Sequence, residues 1–139
     1  MASLSRFGVS LDKHLLHAFD GWLRRKGFAN RSQAIAEQIR GSLVKEEWEA
    51  GTGTVIGAVT LVYDPAHHVL GHTLTKAQHG HHDRILSSQH IHLDARNCLE
   101  VVVLRGPAKE VKELAEQLRS LKGIKHGQWI MSTTGGSLP

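Results

Sequence analysis

One short stretch near the start constrains the fold more than any other. Arg6-Phe7-Gly8-Val9-Ser10-Leu11 alternates polar and apolar residues, with Phe7, Val9 and Leu11 on one side, which is strand periodicity. No second strand pattern follows before the flexible break at Ala50-Gly51-Thr52-Gly53-Thr54. Instead, Asp12 opens a helical pattern whose apolar stripe is Leu15, Leu16, Phe19, Trp22 and Leu23. Arg24-Arg25-Lys26 and then Gly27 mark its C-terminal end. Asn30 and Gln33 have capping-box spacing and open a second helix, with Ile35, Ile39 and Leu43 inward. This strand–helix–helix unit cannot stand alone. One strand cannot satisfy its own backbone groups, and so small a unit buries too little apolar surface. The simplest solution is a second copy of the chain, with two strands pairing across a two-fold axis and four helices closing one core.

Charge says what such a ribbon would meet. Residues 1–45 carry eight Lys/Arg and three Asp/Glu, net +5, whereas residues 46–139 are net −1. A basic unit joined to a near-neutral one points to a polyanion at the basic end. If Phe7, Val9 and Leu11 face inward, the outer face of the ribbon shows Arg6, Gly8 and Ser10 from both chains. A two-stranded ribbon fits the DNA major groove, where Arg reads guanine and Ser reads several bases. Arg31 and Ser32, at the N-terminus of the second helix, are placed to hold a phosphate. The plain alternative is a dimerisation module whose basic helices are solvated faces. The order Arg-x-Gly-x-Ser-Leu-Asp, followed by two helices joined at Asn-Arg-Ser, resembles the ribbon-helix-helix family of bacterial DNA-binding proteins.

Beyond the break, Val55 to Tyr63 is a near-continuous apolar run, read as a strand buried on both faces. Residues 67–84 read as a helix with Leu70, Leu74 and Ala77 inward, ending early if Gly80 stops it. Ser88 to Leu93 and Cys98 to Leu104 form a hairpin about Asp94-Ala95-Arg96-Asn97. Val111, Leu114, Leu118 and Leu121 stripe a last helix, and Ile124 to Met131 is a final strand. The order β-α-β-β-α-β predicts a ferredoxin-like arrangement. The expected class is therefore α+β, with domains at 1–50 and 51–132 and a disordered tail at 133–139.

Histidine is the unusual residue. Eight of the 11 lie between His67 and His92. His90 and His92 share one face of a strand, about 6.5–7 Å apart. Six residues on, across the turn, stands the only cysteine, Cys98. A thiolate and two imidazoles can converge there on one ion and leave one of four positions open. Glu100 lies on the same side as Cys98 and can support the ligands. Because a ferredoxin-like sheet has helices on one face, Ile91 and Leu93 are expected to meet them, with His90 and His92 toward the open face. His68, His72 and His79 lie opposite the apolar stripe of their own helix, so one of them is better placed to serve another subunit, and His79 is the candidate. Three imidazoles and one thiolate admit zinc if tetrahedral, and Ni(II) or Cu(II) if planar. A lone buried cysteine is otherwise an inert hydrophobe. His68, His72, His81 and His82 read most simply as a weak metal sponge.

Arg6-x-Gly8-x-Ser10-Leu11-Asp12, Asn30-Arg31-Ser32-x-Ala34-Ile35, Gln78-His79-x-His81-His82-Asp83, His90-x-His92 and Cys98-Leu99-Glu100-Val101 together resemble the nickel-responsive regulators, the NikR family, over essentially the whole chain. The resemblance implies an ACT-type ferredoxin-like regulatory core flanked by ribbon-helix-helix dimers, in a homotetramer. It implies one Ni(2+) per subunit, held in a plane by His90, His92 and Cys98 of one chain and His79 of a second, with Gln78 and Glu100 supporting them. It implies double-stranded operator DNA as partner, with nickel promoting binding and typically repressing nickel-uptake genes. Two departures stand out. Gly8 occupies a ribbon position often held by Thr, and the neutral Gln33 replaces an acid that, with Glu37, helps hold a cation between the domains of a relative.

Other classes fit less well. A zinc hydrolase needs an open coordination position and a general base. The alternative is a ribbon-helix-helix regulator whose second domain senses another metal or a small molecule, and one that senses a small molecule would not need Cys98. No apolar run approaches the ~20 residues of a bilayer span. Met1 to Ser10 lacks the apolar segment of a signal peptide, and a lone thiol suits a reducing compartment, so a cytoplasmic protein without membrane contact is expected.

Overall fold

The computed structural model describes residues 3–139. Contacts divide the chain into two compact units, one running up to Leu43 and including Ser137–Pro139, the other Val44–Gly136.

In the first unit, residues 3–12 are extended but belong to no strand. The strand expected at Arg6–Leu11 is therefore not formed in the single protomer. A strand exists through its ladder, and among the described residues no other strand precedes Thr54. Helix α1 (Lys13–Arg25) begins where Asp12 Oδ1 accepts from the amides of His14 at 2.8 Å and Leu15 at 3.2 Å. It ends in paired capping bonds, Phe28 N–H to the Leu23 carbonyl and Gly27 N–H to the Arg24 carbonyl. Gly27 stands at φ +80°, which explains why glycine closes the helix. Helix α2 (Arg31–Ala50) opens on the expected side-chain exchange, slightly shifted: Asn30 Oδ1 accepts from Gln33 N–H, and Gln33 Oε1 accepts from the Ala29 amide rather than from that of Asn30.

The division between units falls inside α2, not at the glycine-rich break after Ala50. Trp48 is the reason. Its ring is buried against Trp129, with centroids 5.5 Å apart, and its indole N–H donates to the Ser132 carbonyl at 2.9 Å. The last turns of α2 thus fold with the second unit.

That unit contains β1 (Thr54–Tyr63), α3 (His68–Gly80), β2 (Ile85–Asp94), β3 (Asn97–Pro107), α4 (Ala108–Arg119) and β4 (Ile124–Thr133). The four strands form one antiparallel sheet in the order β2-β3-β1-β4, the ferredoxin-like topology expected from the sequence. Helix α3 stops at Gly80, and His81–Arg84 turn, with the Arg84 amide donating to the His81 carbonyl at 2.9 Å. Strand β1 is fully buried on one face only. Val55, Val59, Leu61 and Tyr63 join Cys98, Val102 and Leu104 of β3 beneath Leu70 and Leu74 of α3 and Val111, Leu114 and Leu118 of α4. Ile56, Ala58, Thr60 and Val62 face the other way and are only half-covered. The apolar run reads as doubly buried because that second face is apolar too, yet among the described residues of this unit its side chains are only half-covered. At Gly57 a Cβ would lie 2.9 Å from Val111 Cγ1, so glycine lets α4 approach β1 closely.

Candidate metal centre

The β2–β3 ladder builds the site. His92 pairs with Cys98 and His90 with Glu100, so these four side chains share one face. That face is the one covered by the helices, because Cys98, Glu100, Val102 and Leu104 are its buried residues. The expectation that Ile91 and Leu93 would meet the helices is overturned, and Leu93 is 54% exposed. On this edge strand the helices cover the sheet incompletely, so apolar character alone does not choose the face. Register with the more strongly patterned β3 does.

Cys98 is fully buried, whereas His90 and His92 are exposed. One ligand atom from each can be chosen so that all three lie within 4.8 Å of one another. Cys98 Sγ lies 3.6 Å from His92 Nδ1, and the two imidazoles meet edge to face, with centroids 4.9 Å apart. Metal bonds of about 2.0–2.3 Å to nitrogen and sulfur place opposite donors roughly 4–4.6 Å apart. The three donors therefore fit one ion with little adjustment, and their soft sulfur and borderline nitrogens suit a late divalent metal.

A buried polar network stands behind the donors. Glu100 Oε1 accepts from Gln78 Nε2 and from Ser88 Oγ, both at 2.7 Å, and Oε2 accepts from the Tyr63 hydroxyl at 3.0 Å. The Tyr63 oxygen also lies 3.1 Å from His90 Nδ1. Tyr63 has one hydroxyl proton, which it donates in the hydrogen bond to Glu100. Its oxygen can then only accept from His90, which puts the ring proton on Nδ1 and leaves Nε2 as the free lone pair. Burial, and then the bond to Glu100, push the Tyr63 hydroxyl well above the usual tyrosine range, so it keeps that proton. Such partners orient metal-binding imidazoles.

Glu100 and Gln78 were singled out in the sequence, and both lie in this network. Tyr63 and Ser88 were not. Ser88 is two residues before His90 and so on the same strand face, a period-two signal. Tyr63 ends β1 and pairs with Cys98, which only the register reveals.

His79 lies outside the cluster. It is exposed in the last turn of α3, next to the inward-reaching Gln78, and adjacent helical residues point about 100° apart. His67 caps α3, its Nδ1 accepting from the Leu70 amide at 3.0 Å. His68, His72, His81 and His82 belong to no second metal-type cluster among the described residues. Of the residues expected at DNA, Arg6, Gly8 and Ser10 are exposed on the extended segment, and Ser32 is exposed at the start of α2. Arg31 grips Asp20 through two bonds of 2.8 Å. Gln33 is engaged as a helix cap, and Glu37 is exposed. No described helix is long and apolar enough to cross a membrane.

Comparison with known proteins agrees with this geometry. Residues 56–132 match the family described as the NikR C terminal nickel binding domain. The chain is 53% identical over 140 residues to a protein of Geobacter sulfurreducens and 53% identical to one of Geotalea uraniireducens, with 99% of each chain covered. A protein of Thermococcus onnurineus is 47% identical over 135 residues, covering 97% of this chain and 98% of its own. All three carry the name "Putative nickel-responsive regulator". With its hairpin donors inside the matched domain and relatives aligned end to end, the chain belongs to the NikR family of nickel-responsive regulators.

Proposed function

We propose that this protein is a DNA-binding repressor that engages its operator when Ni(II) is held by His90, His92 and Cys98 of one protomer and His79 of the partner subunit. The observation that carries this reading is the three-donor cluster itself, which leaves one position of a four-coordinate ion open while an exposed histidine stands one residue beyond Gln78. When bound, nickel supplies a coordination bond between subunits. The chain's own residues do the rest. Glu100 and Tyr63 hold His90, the fully buried Cys98 supplies the thiolate, and Gln78 ties α3 to the centre.

The first unit supports the nucleic-acid half. Phe7, Val9, Leu11, Leu15 and Ile39 are all exposed, an apolar surface that a second protomer would cover. A groove of about 700 Å³ runs between the extended segment and both helices, lined among others by Phe7, Val9, Phe19 and Ile35. Filling it with the same elements of a second chain pairs the extended segments as a ribbon and leaves Arg6 and Ser10 outward. A homotetramer results if the incompletely covered sheet face around Val62, Ile91 and the exposed Ile130 joins two such dimers.

The energetics are attainable. A ligand shifts an equilibrium only by its differential affinity, and moving a population from 1:99 to 99:1 needs about 5.5 kcal/mol. Four sites at about 1–3 kcal/mol of coupling each reach that. The test is anisotropy of a labelled duplex, selected from a random pool by the nickel-loaded protein, measured at fixed salt. Tight binding only with nickel, lost in Cys98→Ala, is expected. Equal affinity with and without nickel contradicts the proposal.

A further inference from the structure

The hairpin that carries the donors is built on an unfavourable turn. Asp94 pairs with Asn97, leaving the two-residue loop Ala95-Arg96. Two-residue hairpins favour turns with φ above zero, because those match the twist of the strands. Among the described residues no non-glycine residue has positive φ, so neither Ala95 nor Arg96 adopts such a turn. The ladder is also irregular here. His92 pairs with Cys98 and Asp94 with Asn97, so Leu93 is an extra, bulged residue immediately beside the donor pair.

Side chains hold this tip instead. Asp94 Oδ1 accepts from the Arg96 amide at 2.8 Å. Asn97 Nδ2 donates to both Asp94 oxygens, at 3.0 and 2.9 Å. Asn97 Oδ1 accepts from Lys125 Nζ at 2.7 Å, and the same ammonium donates to the Arg96 carbonyl at 3.3 Å. Lys125 comes from β4, which is separated from β3 by β1. It is the extra residue of a second bulge, since Val62 pairs with His126 but Tyr63 with Ile124. That bulge sends its side chain past the end of β1 to the hairpin tip. Bulges re-aim side chains in this way beside functional sites.

We infer that Asp94, Asn97 and Lys125 form a clasp that sets the register of the metal hairpin, and with it the spacing of His92 and Cys98, before any ion arrives. None of the three belongs to the donor cluster. They are positioning residues, and the inference rests on the nickel-binding role of the hairpin. Exposed contacts of this kind contribute little to overall stability, so their effect is concentrated in how well the donors are preset.

The experiment measures nickel affinity of the full-length protein by chelator competition, together with the nickel–thiolate absorption band and the melting temperature of the metal-free protein. Lys125→Met and Asn97→Ala are expected to bind nickel roughly tenfold more weakly, at the low end of the range for residues that support metal ligands. The melting temperature should stay near that of the parent. Lys125→Arg, which keeps a cationic donor, should recover most of the affinity. Parent-like affinity in both Lys125→Met and Asn97→Ala, or no recovery in Lys125→Arg, overturns the clasp while leaving the nickel site standing. A parent protein that binds no nickel removes both.

Discussion

The two units are unfinished in different ways. Between Val44 and Gly136 a single core is closed by α3 and α4 over one sheet face, and in the proposed reading what is missing is a fourth donor for the metal. Among the described residues up to Leu43, only Leu23 and Ala34 are buried, and what is missing is the core itself. The difference teaches where specificity comes from. Packing deficits are satisfied by any complementary apolar surface, whereas a coordination deficit is satisfied only by the right atom at the right distance. Under the proposed function, the undirected force holds the dimer at the first unit and the directed bond makes the contact at the second depend on metal.

That contrast can be broken at either end. The largest effect is expected from Cys98→Ala, which removes the thiolate: nickel affinity measured by chelator competition should fall at least about 100-fold, while the nickel-free oligomer and its fold persist. Val9→Asp should do the reverse. A charge on the apolar side of the extended segment should weaken DNA binding by more than about tenfold in an anisotropy titration and leave nickel affinity intact. If Val9→Asp also abolished nickel binding, the two ends would not be separable. Tyr63→Phe is a finer probe, removing the hydroxyl between Glu100 and His90. Nickel affinity should drop by roughly tenfold and the free tautomer of His90 should become mixed, read by nitrogen NMR of the labelled ring.

The smallest effect is the acid limb of stability. The hydrogen bond from Arg31 holds the Asp20 carboxyl below its usual range, and Arg119 and then Trp129 do the same for Glu116. A depressed carboxyl contributes stability above its unfolded value and loses it as pH falls through the folded one. Unfolding monitored by circular dichroism should therefore turn downward as pH drops below about 4, and Asp20→Asn should soften that slope slightly. Both groups are partly exposed, so an unchanged slope in Asp20→Asn would mean the ion pair is fully screened.

Local signals proved the most legible. Asp12 and Gly27 bound α1 because capping chemistry is written within a few residues. The ferredoxin-like order and the convergence of His90, His92 and Cys98 follow from strand period and hairpin length. What could not be read depends on partners distant in sequence. Which face of β2 meets the helices is set by register with β3, so the histidines rather than Ile91 and Leu93 face the core side. Tyr63 enters the site because it pairs with Cys98 across the sheet. Trp48 joins the second unit through Trp129 and Ser132, more than eighty residues away, which moves the boundary into α2. The segment at Arg6–Leu11 forms no strand in the protomer because, among the described residues, no other strand precedes Thr54 to pair with it, and the ribbon pairing belongs to the proposed dimer.

The central claim, that the ion is completed across protomers, is tested most directly by co-expressing His79→Ala and Cys98→Ala chains. Each variant alone should lack the complete site. In mixed oligomers, a chain with intact His90, His92 and Cys98 meets a neighbour with intact His79, so part of the nickel–thiolate absorption band and the nickel-dependent DNA response should return. If the His79→Ala protein by itself shows the full band and response, or if mixing restores neither, the fourth donor does not come from a second protomer.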